Sequence, residues 1–393
     1  MKKNFSVIFI FLAFIMSVGI FGGYFRNNVF AEGVEDNKIN CKAYYLADAN
    51  SKTEIYANNE LKHLPIASMC KIMTLLLCFE GIDNNEISLN EDVVVSENAS
   101  KMGGSQIFLE LNGVYKVEDL IKGIVVASAN DACVAMAEKL CGSQSDFVEK
   151  MNAKALELNM QNTNFVNCTG LPAASQYSCA KDVFIMFSEL LKHEEYFNFS
   201  SIWMDKISHP EGRYTEISNT NKLVRFYDGC DSGKTGYTAE AGHCLCASAI
   251  RDNLRLVSVV IGAPNSKERF KGVSSMFNYG FANYYNKLIV DDVNPLDVEV
   301  NVIGGKKKTL SVVAENPLYI FSRKKERKSY EFSFEPIEKI VAPINKGFIV
   351  GKLVVYENNV EVCSVNVIAN ENIEKKTYFD NVSDIINDWS LIS

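Results

Sequence analysis

Ser68-Met69-Cys70-Lys71-Ile72-Met73-Thr74-Leu75-Leu76-Leu77-Cys78-Phe79 carries a single charge, Lys71, in an otherwise apolar run. Such a helix is apolar on every side and belongs inside a protein. Pro65 just ahead suits a chain entering a helix, which sets Ser68 near the N-terminus, at the positive end of the dipole. Spacing i to i+3 puts Ser68 and Lys71 on one face, about 5–6 Å apart at Cβ. Burying an unpaired ammonium is expensive, so the Lys71 pKa is expected to fall and a neutral amine to become accessible. A neutral amine beside a hydroxyl is a general base beside a nucleophile. The competing reading is a core lysine that carries its head to solvent along an apolar stem.

Two later motifs weigh against that competitor. Ser128-Ala129-Asn130 and then Lys234-Thr235-Gly236 follow in order. Each is weak alone. S-x-x-K recurs at Ser178–Lys181 and Ser322–Lys325, and S-x-N at Ser88–Asn90, Ser96–Asn98 and Ser364–Asn366, while K-T-G occurs once. Ser128, Asn130 and Asp131 are also good helix caps after Ile121–Val126. Lys234-Thr-Gly236 also reads as a turn into Cys244–Ile250. Only in combination do they supply a nucleophile, an amine, a hydroxyl-amide bridge and a cationic strand edge, the parts of an acyl-transfer site.

On these residues the chain resembles the D-alanyl-D-alanine carboxypeptidases, low-molecular-mass penicillin-binding proteins whose signature is this ordered triple. The resemblance runs on through Gly103-Gly-Ser105, Asn167-Cys-Thr-Gly-Leu171, Asn219-Thr-Asn-Lys-Leu223 and Asp231-Ser-Gly-Lys234-Thr-Gly-Tyr-Thr238. It ends in Ala342-Pro-Ile-Asn-Lys-Gly-Phe-Ile-Val-Gly351, which is similar to the family's C-terminal β-domain. It implies removal of the terminal D-Ala from peptidoglycan stem peptides through an acyl-enzyme, with β-lactams as covalent inhibitors. It implies Ser68 as nucleophile, Lys71 as its base, Ser128 and Asn130 as proton relay and amide holder, and Lys234 as the cation completing the network. Thr235 and Arg269, in Ser266-Lys-Glu-Arg-Phe270, would hold the substrate carboxylate, where a planar guanidinium suits the task. The strand Gly236–Tyr237 would line the substrate, with the N–H groups of Ser68 and Tyr237 as oxyanion hole. Three departures stand out. Ala129 replaces a usual Gly and is tolerable only at negative φ. Ser232-Gly233 replaces a usual Gly-apolar pair, and Gln176 sits where His is common.

Composition bounds the rest. The chain has 393 residues, 47% of them hydrophobic, and room for one large domain and one small one. Residues 1–31 read as a secretory signal: Lys2-Lys3, an apolar stretch to about Phe25, and Val29-Phe30-Ala31 as a cleavage site, with an uncleaved anchor as the alternative. Its removal takes away Lys2, Lys3 and Arg26 and no acid, so the formal charge moves from −8 to −11. So acidic a protein is a poor partner for nucleic acid. Eleven cysteines, an odd number without compact spacing, read as free buried fillers, which suits a reducing or anaerobic surrounding. The four histidines show no metal-binding spacing and no phosphate loop is present, so neither metal nor other cofactor is expected.

Lys42–Ala47 with Glu54–Asn58, and Cys244–Ile250 with Leu254–Ile261, read as hairpins. Ser68–Phe79, Val117–Val126, Asn130–Leu140 and Ser145–Leu158 read as helices. Strands at both ends with helices between give an α+β fold, an antiparallel sheet flanked by helices, over residues 32–290. Short alternating runs at Val298–Val302, Leu310–Val313, Tyr330–Phe334, Ile349–Tyr356 and Glu361–Ile368 then read as a small all-β domain over 291–370. Its basic patches, Lys306–Lys308 and Arg323–Lys328, read as solvated loops. The tail 371–393 places Phe379, Val382, Ile385, Ile386, Trp389 and Ile392 at helical spacing. The resemblance implies a membrane-surface tail, yet its polar face carries Asp380, Asp384 and Asp388, which anionic lipid repels. Two other functions compete: a class A β-lactamase, disfavoured because no Glu lies between Asn162 and Gln176, and a non-catalytic wall-binding scaffold.

Overall fold

A computed structural model of the chain describes residues 39–326 and 328–382. The reading of residues 1–31 as a signal, and all of the tail beyond 382, lie outside them. Hairpin β1 (Ala43–Asp48) and β2 (Glu54–Asn58) opens the fold, followed by the buried helix α1 (Lys71–Asp83). A ribbon of β3 (Asp92–Val94) and β4 (Val114–Lys116) leads into α2 (Val117–Lys122), α3 (Asn130–Cys141), α4 (Gln144–Glu157) and α5 (Ala180–Leu190). A second ribbon, β5 (Met204–Ser208) with β6 (Tyr214–Ser218), precedes β7 (Cys230–Thr238), β8 (Gly242–Arg251) and β9 (Leu254–Ala263), and α6 (Ser266–Asn283) follows.

The main sheet is antiparallel, in the order β2-β1-β9-β8-β7, so β7, which carries Lys234, lies at one edge. Side chains alternate across a strand, and here both faces are covered. Cys244, Cys246, Val257, Val259 and Ile261 join α1 and α5 in the larger core. Their neighbours Leu245, Ala247, Leu256 and Val260 turn the other way, toward Val273, Met276 and Phe277 of α6. Both expected hairpins are present and α6 joins them. The expected helix Val117–Val126 differs: α2 ends at Lys122 and the chain widens into a π turn over Gly123–Ala127.

Beyond α6, β10 (Tyr284–Val290) pairs with β12 (Leu318–Arg323). The remaining strands, β11 (Val312–Ala314), β13 (Glu331–Pro336), β14 (Ile349–Glu357) and β15 (Val360–Ala369), form a sheet in the order β11-β15-β14-β13. Val300, Leu310, Val312, Val350, Leu353 and Val367 fill its core. Val298–Val302 is not a strand; it makes an isolated bridge from Asn301 to Thr309. The tail begins as expected with helical turns at 378–382, where Tyr378 and Phe379 are exposed. Among the described residues no helix is long and apolar enough to cross a membrane.

Candidate active site

Ser68 sits in a 3₁₀ turn, Ala67–Cys70, that runs directly into α1, so Lys71 is the first α-helical residue. The tight turn brings the side chains together, and Lys71 Nζ donates to Ser68 Oγ at 3.0 Å. A second bond from the same ammonium reaches the carbonyl of Thr169 at 2.5 Å. Lys71 is fully buried. Burial pulls its pKa below the ordinary lysine value, offset in part by the nearby groups of Cys133, Cys70, Cys168 and Asp131. The solvent-seeking alternative for Lys71 therefore fails, and its expected proximity to Ser68 holds.

Two glycines let backbone close on Ser68. A Cβ on Gly170, at φ +80°, would lie 2.0 Å from the Ala67 carbonyl oxygen. A Cβ on Gly236 would lie 2.7 Å from the Ile66 carbonyl oxygen. Only glycine permits the loop on one side and the β7 edge on the other to approach so closely.

The π turn supplies the next group. The residue that caps it, Ser128, is left-handed at φ 62°, an unusual conformation for serine that is held where wide turns often mark function. Ser128 Oγ accepts from Lys234 Nζ at 2.7 Å, and Lys234 also donates to the Thr235 carbonyl at 3.1 Å. Ala129 has φ −62°, so its methyl is accommodated without strain. Asn130 opens α3 and donates from Nδ2 to the Gly103 carbonyl at 2.7 Å. Next to it the buried Asp131 carboxylate accepts from the N–H groups of Ile107, Leu109 and Ala132, fixing the loop that carries Gly103–Ser105.

Lys234 is as buried as Lys71. Its pKa is lowered well below the ordinary value, first by burial and then by Lys71 and Arg269. Arg269, on α6, lies beneath the strand. NH1 donates to the carbonyls of Gly236 and Cys244 at 3.3 Å each, and NH2 to Ser266 Oγ at 3.2 Å. Burial holds its pKa down to about 10, and its Nε has no partner. The guanidinium thus braces β7 rather than offering a whole free fork. Thr235 is buried in the strand, whereas Tyr237 is 60% exposed and packs on His243. Among the described residues no carboxylate lies within ion-pair distance of Lys71, Lys234 or Arg269. Lys234 and Arg269 are thus buried with no carboxylate partner among the described residues, a costly arrangement that a bound anion would relieve.

Reading by motif missed the Thr169 carbonyl, a backbone group that no side-chain pattern signals. It also missed what Gln176 does. Gln176 Oε1 accepts from the N–H groups of Val166 and Asn167, and Asn167 Oδ1 in turn accepts from the N–H of Gly170. That lattice shapes the loop which presents Thr169 to Lys71. The signal available was the departure at position 176 itself.

Sheet, buried helix and polar cluster define a serine acyl-transfer enzyme of the penicillin-recognising fold. The D-alanyl-D-alanine carboxypeptidase family matches residues 30–265, and the penicillin-binding protein 5 C-terminal domain matches residues 285–375. The chain belongs to the D-alanyl-D-alanine carboxypeptidase family and is a serine-type D,D-carboxypeptidase, a hydrolase. D-alanyl-D-alanine carboxypeptidase DacF of Bacillus subtilis (strain 168) is 38% identical over 350 residues, spanning 89% of this chain and 90% of the relative. DacC of Escherichia coli (strain K12), also a D-alanyl-D-alanine carboxypeptidase, is 30% identical over 90% of this chain and 89% of its own length. Among solved structures, penicillin binding protein 5 from Haemophilus influenzae superimposes with a TM-score of 0.66 at 29% identity, covering 86% of this chain and 98% of that one.

Proposed function

We propose that Ser68 is the residue acylated when the enzyme removes the terminal D-Ala from a peptidoglycan stem peptide. The terminal carboxylate enters the cationic hole beside Lys234, Thr235 and Arg269, which no carboxylate among the described residues neutralises. Lys71, its pKa lowered by burial, takes the Ser68 proton as Oγ bonds to the carbonyl between the two D-Ala residues. The amide C–N bond breaks, and the departing amine of D-Ala takes a proton through Ser128, whose hydroxyl rests on Lys234. Asn130 holds the substrate amide, and the N–H groups of Ser68 and Tyr237 face the developing oxyanion. Water then hydrolyses the ester. Penicillins enter the same path through their strained ring amide. The observation that carries this reading is the 3.0 Å contact between a buried amine and the Ser68 hydroxyl.

The loop 162–176 meets this centre with a carbonyl and no carboxylate, so no base of the β-lactamase kind stands ready for a deacylating water. A penicillin adduct is therefore expected to persist. Incubation with a fluorescent penicillin should label the wild type at Ser68 and leave Ser68→Ala unlabelled, with D-Ala release from a pentapeptide lost in the same variant. Labelling of Ser68→Ala at the wild-type level would end the assignment. Work on wall peptides takes place outside the cytoplasmic membrane, and the leader-like residues 1–31 support export. The exposed Tyr378 and Phe379 at the start of the tail support a surface contact with the membrane.

A further inference from the structure

Ser128 and Lys234 reach each other from elements far apart in sequence. Ser128 caps the π turn, Lys234 lies on β7, and a 2.7 Å hydrogen bond joins them. In the main sheet β7 pairs with β8 alone, so its place against the π turn depends on contacts outside the sheet. The segment Asn219–Leu223 supplies two. The Thr220 N–H donates to the Val126 carbonyl at 3.2 Å, two residues before Ser128. Asn221 Nδ2 donates to the Ser232 carbonyl at 3.2 Å, two residues before Lys234.

Asn221 is fully buried and held from both ends of its side chain. Its Oδ1 accepts from the Leu223 N–H at 3.1 Å, at the start of the helical turn Leu223–Phe226. Asn219 fixes its backbone: Asn219 Oδ1 accepts from the Asn221 N–H at 2.9 Å, while Nδ2 donates to the carbonyls of Ser200 and Ile202 at 3.1 and 2.8 Å. A Cβ on Gly233 would lie 2.5 Å from Asn221 Nδ2, so the glycine just ahead of Lys234 leaves room for that amide. Among the described residues Asn221 makes no hydrogen bond to Ser128 or Lys234; its reach to them is through the strand.

We infer that Asn221 is a positioning residue for proton delivery to the leaving amine: by tying β7 to the segment that also holds the π turn, it sets the contact between Ser128 and Lys234. This rests on the relay through Ser128 proposed above and adds the group that keeps the relay closed. Loss of the amide leaves the Ser232 carbonyl unpaired and the strand free to shift, and small displacements in a reacting constellation cost rate steeply. The cost falls on the step that needs a proton. When an amide acylates Ser68, its C–N bond breaks as the nitrogen takes a proton. When a thioester does so, the C–S bond breaks and the sulfur keeps the electron pair as a thiolate.

Two substrates with the same acyl group and a terminal carboxylate each separate the cases: Nα,Nε-diacetyl-L-Lys-D-Ala-D-Ala, and the same peptide with thioglycolate in place of the last D-Ala. With the full chain, kcat/KM reports acylation for both. Asn221→Ala should lower it about 10- to 100-fold for the amide and about threefold or less for the thioester. Ser128→Ala should itself lose the amide and spare the thioester, and adding Asn221→Ala to it should cost the amide little more. Where urea melts show Asn221→Ala unfolded, Asn221→Ser, whose hydroxyl falls short of the Ser232 carbonyl, should give the same split. Equal losses on the two substrates, no loss on either, or losses that multiply in the double variant overturn the inference, while the split in Ser128→Ala keeps the relay. A Ser128→Ala variant that loses both substrates alike, or neither, overturns the relay and the inference with it.

Discussion

In the proposed reaction Lys71 serves as base only while it is uncharged, and burial is the main cause that lowers its pKa. The rate of penicillin acylation should therefore rise with pH and level off below the ordinary lysine value of 10.5, a profile that stopped-flow or gel labelling across pH would record. Lys71→Arg, which stays protonated, should acylate at least about a thousandfold more slowly at every pH. The same shift bears on stability. The unfolded chain keeps both lysines near their usual pKa and so binds more protons than the native state, in which Lys71 and Lys234 are lowered. Stability should then climb with pH from the depressed native pKa values up to about 10.5, the ordinary lysine value. Urea melts of the wild type that weaken over this window would contradict that sign. At Gly170 the requirement is steric. Gly170→Ala places a methyl against the Ala67 carbonyl in a left-handed conformation and should cost about 1–3 kcal/mol in denaturant melts, together with acylation.

At the scale of elements, the loop 166–176 meets Lys71 with a backbone carbonyl and not with a side chain. Gln176→Ala removes the acceptor for two backbone N–H groups and frees the segment that offers Thr169 to Lys71. Acylation should fall about tenfold or more, because small displacements in a reacting constellation cost rate steeply. The melting temperature should move little, since the lost bonds lie at the surface. Unchanged acylation would show that Thr169 holds its place without Gln176. Elements also differ in how plainly they could be read beforehand. The two hairpins were legible because alternating residues feed two separate cores. The wide turn at Gly123–Ala127 was not, because it depends on Ile107 filling the space a Gly123 side chain would occupy. Helix α6 was missed for a related reason. Gly272 and Gly280 stand where apolar side chains would mark its buried face, and their absence lets the helix lie close on Val260 and Leu256. The ribbon of β10 and β12 joins segments far apart in sequence, and nothing local announces that pairing. The triple of motifs was legible because it names side chains; the carbonyl of Thr169 was not.

Over the whole molecule, all eleven cysteines are unpaired, eight of them buried. Burial raises their pKa, Cys70 to about 12 and Cys133 to about 11, so little thiolate is available to oxidants or metals. A chromogenic disulfide reagent should count eleven thiols after denaturation and react only slowly with the native protein, and reductant should leave activity unchanged. A denatured count of seven or fewer would mean that two or more disulfides form. The ribbon carries a separate consequence. Its strands β10 and β12 flank residues 291–317, so the stretch leading away from the catalytic portion and the stretch coming back are zipped side by side. A protease that nicks residues 291–295 would break the covalent thread and yet release nothing: both fragments should travel together through a sizing column and part only when the protein is denatured.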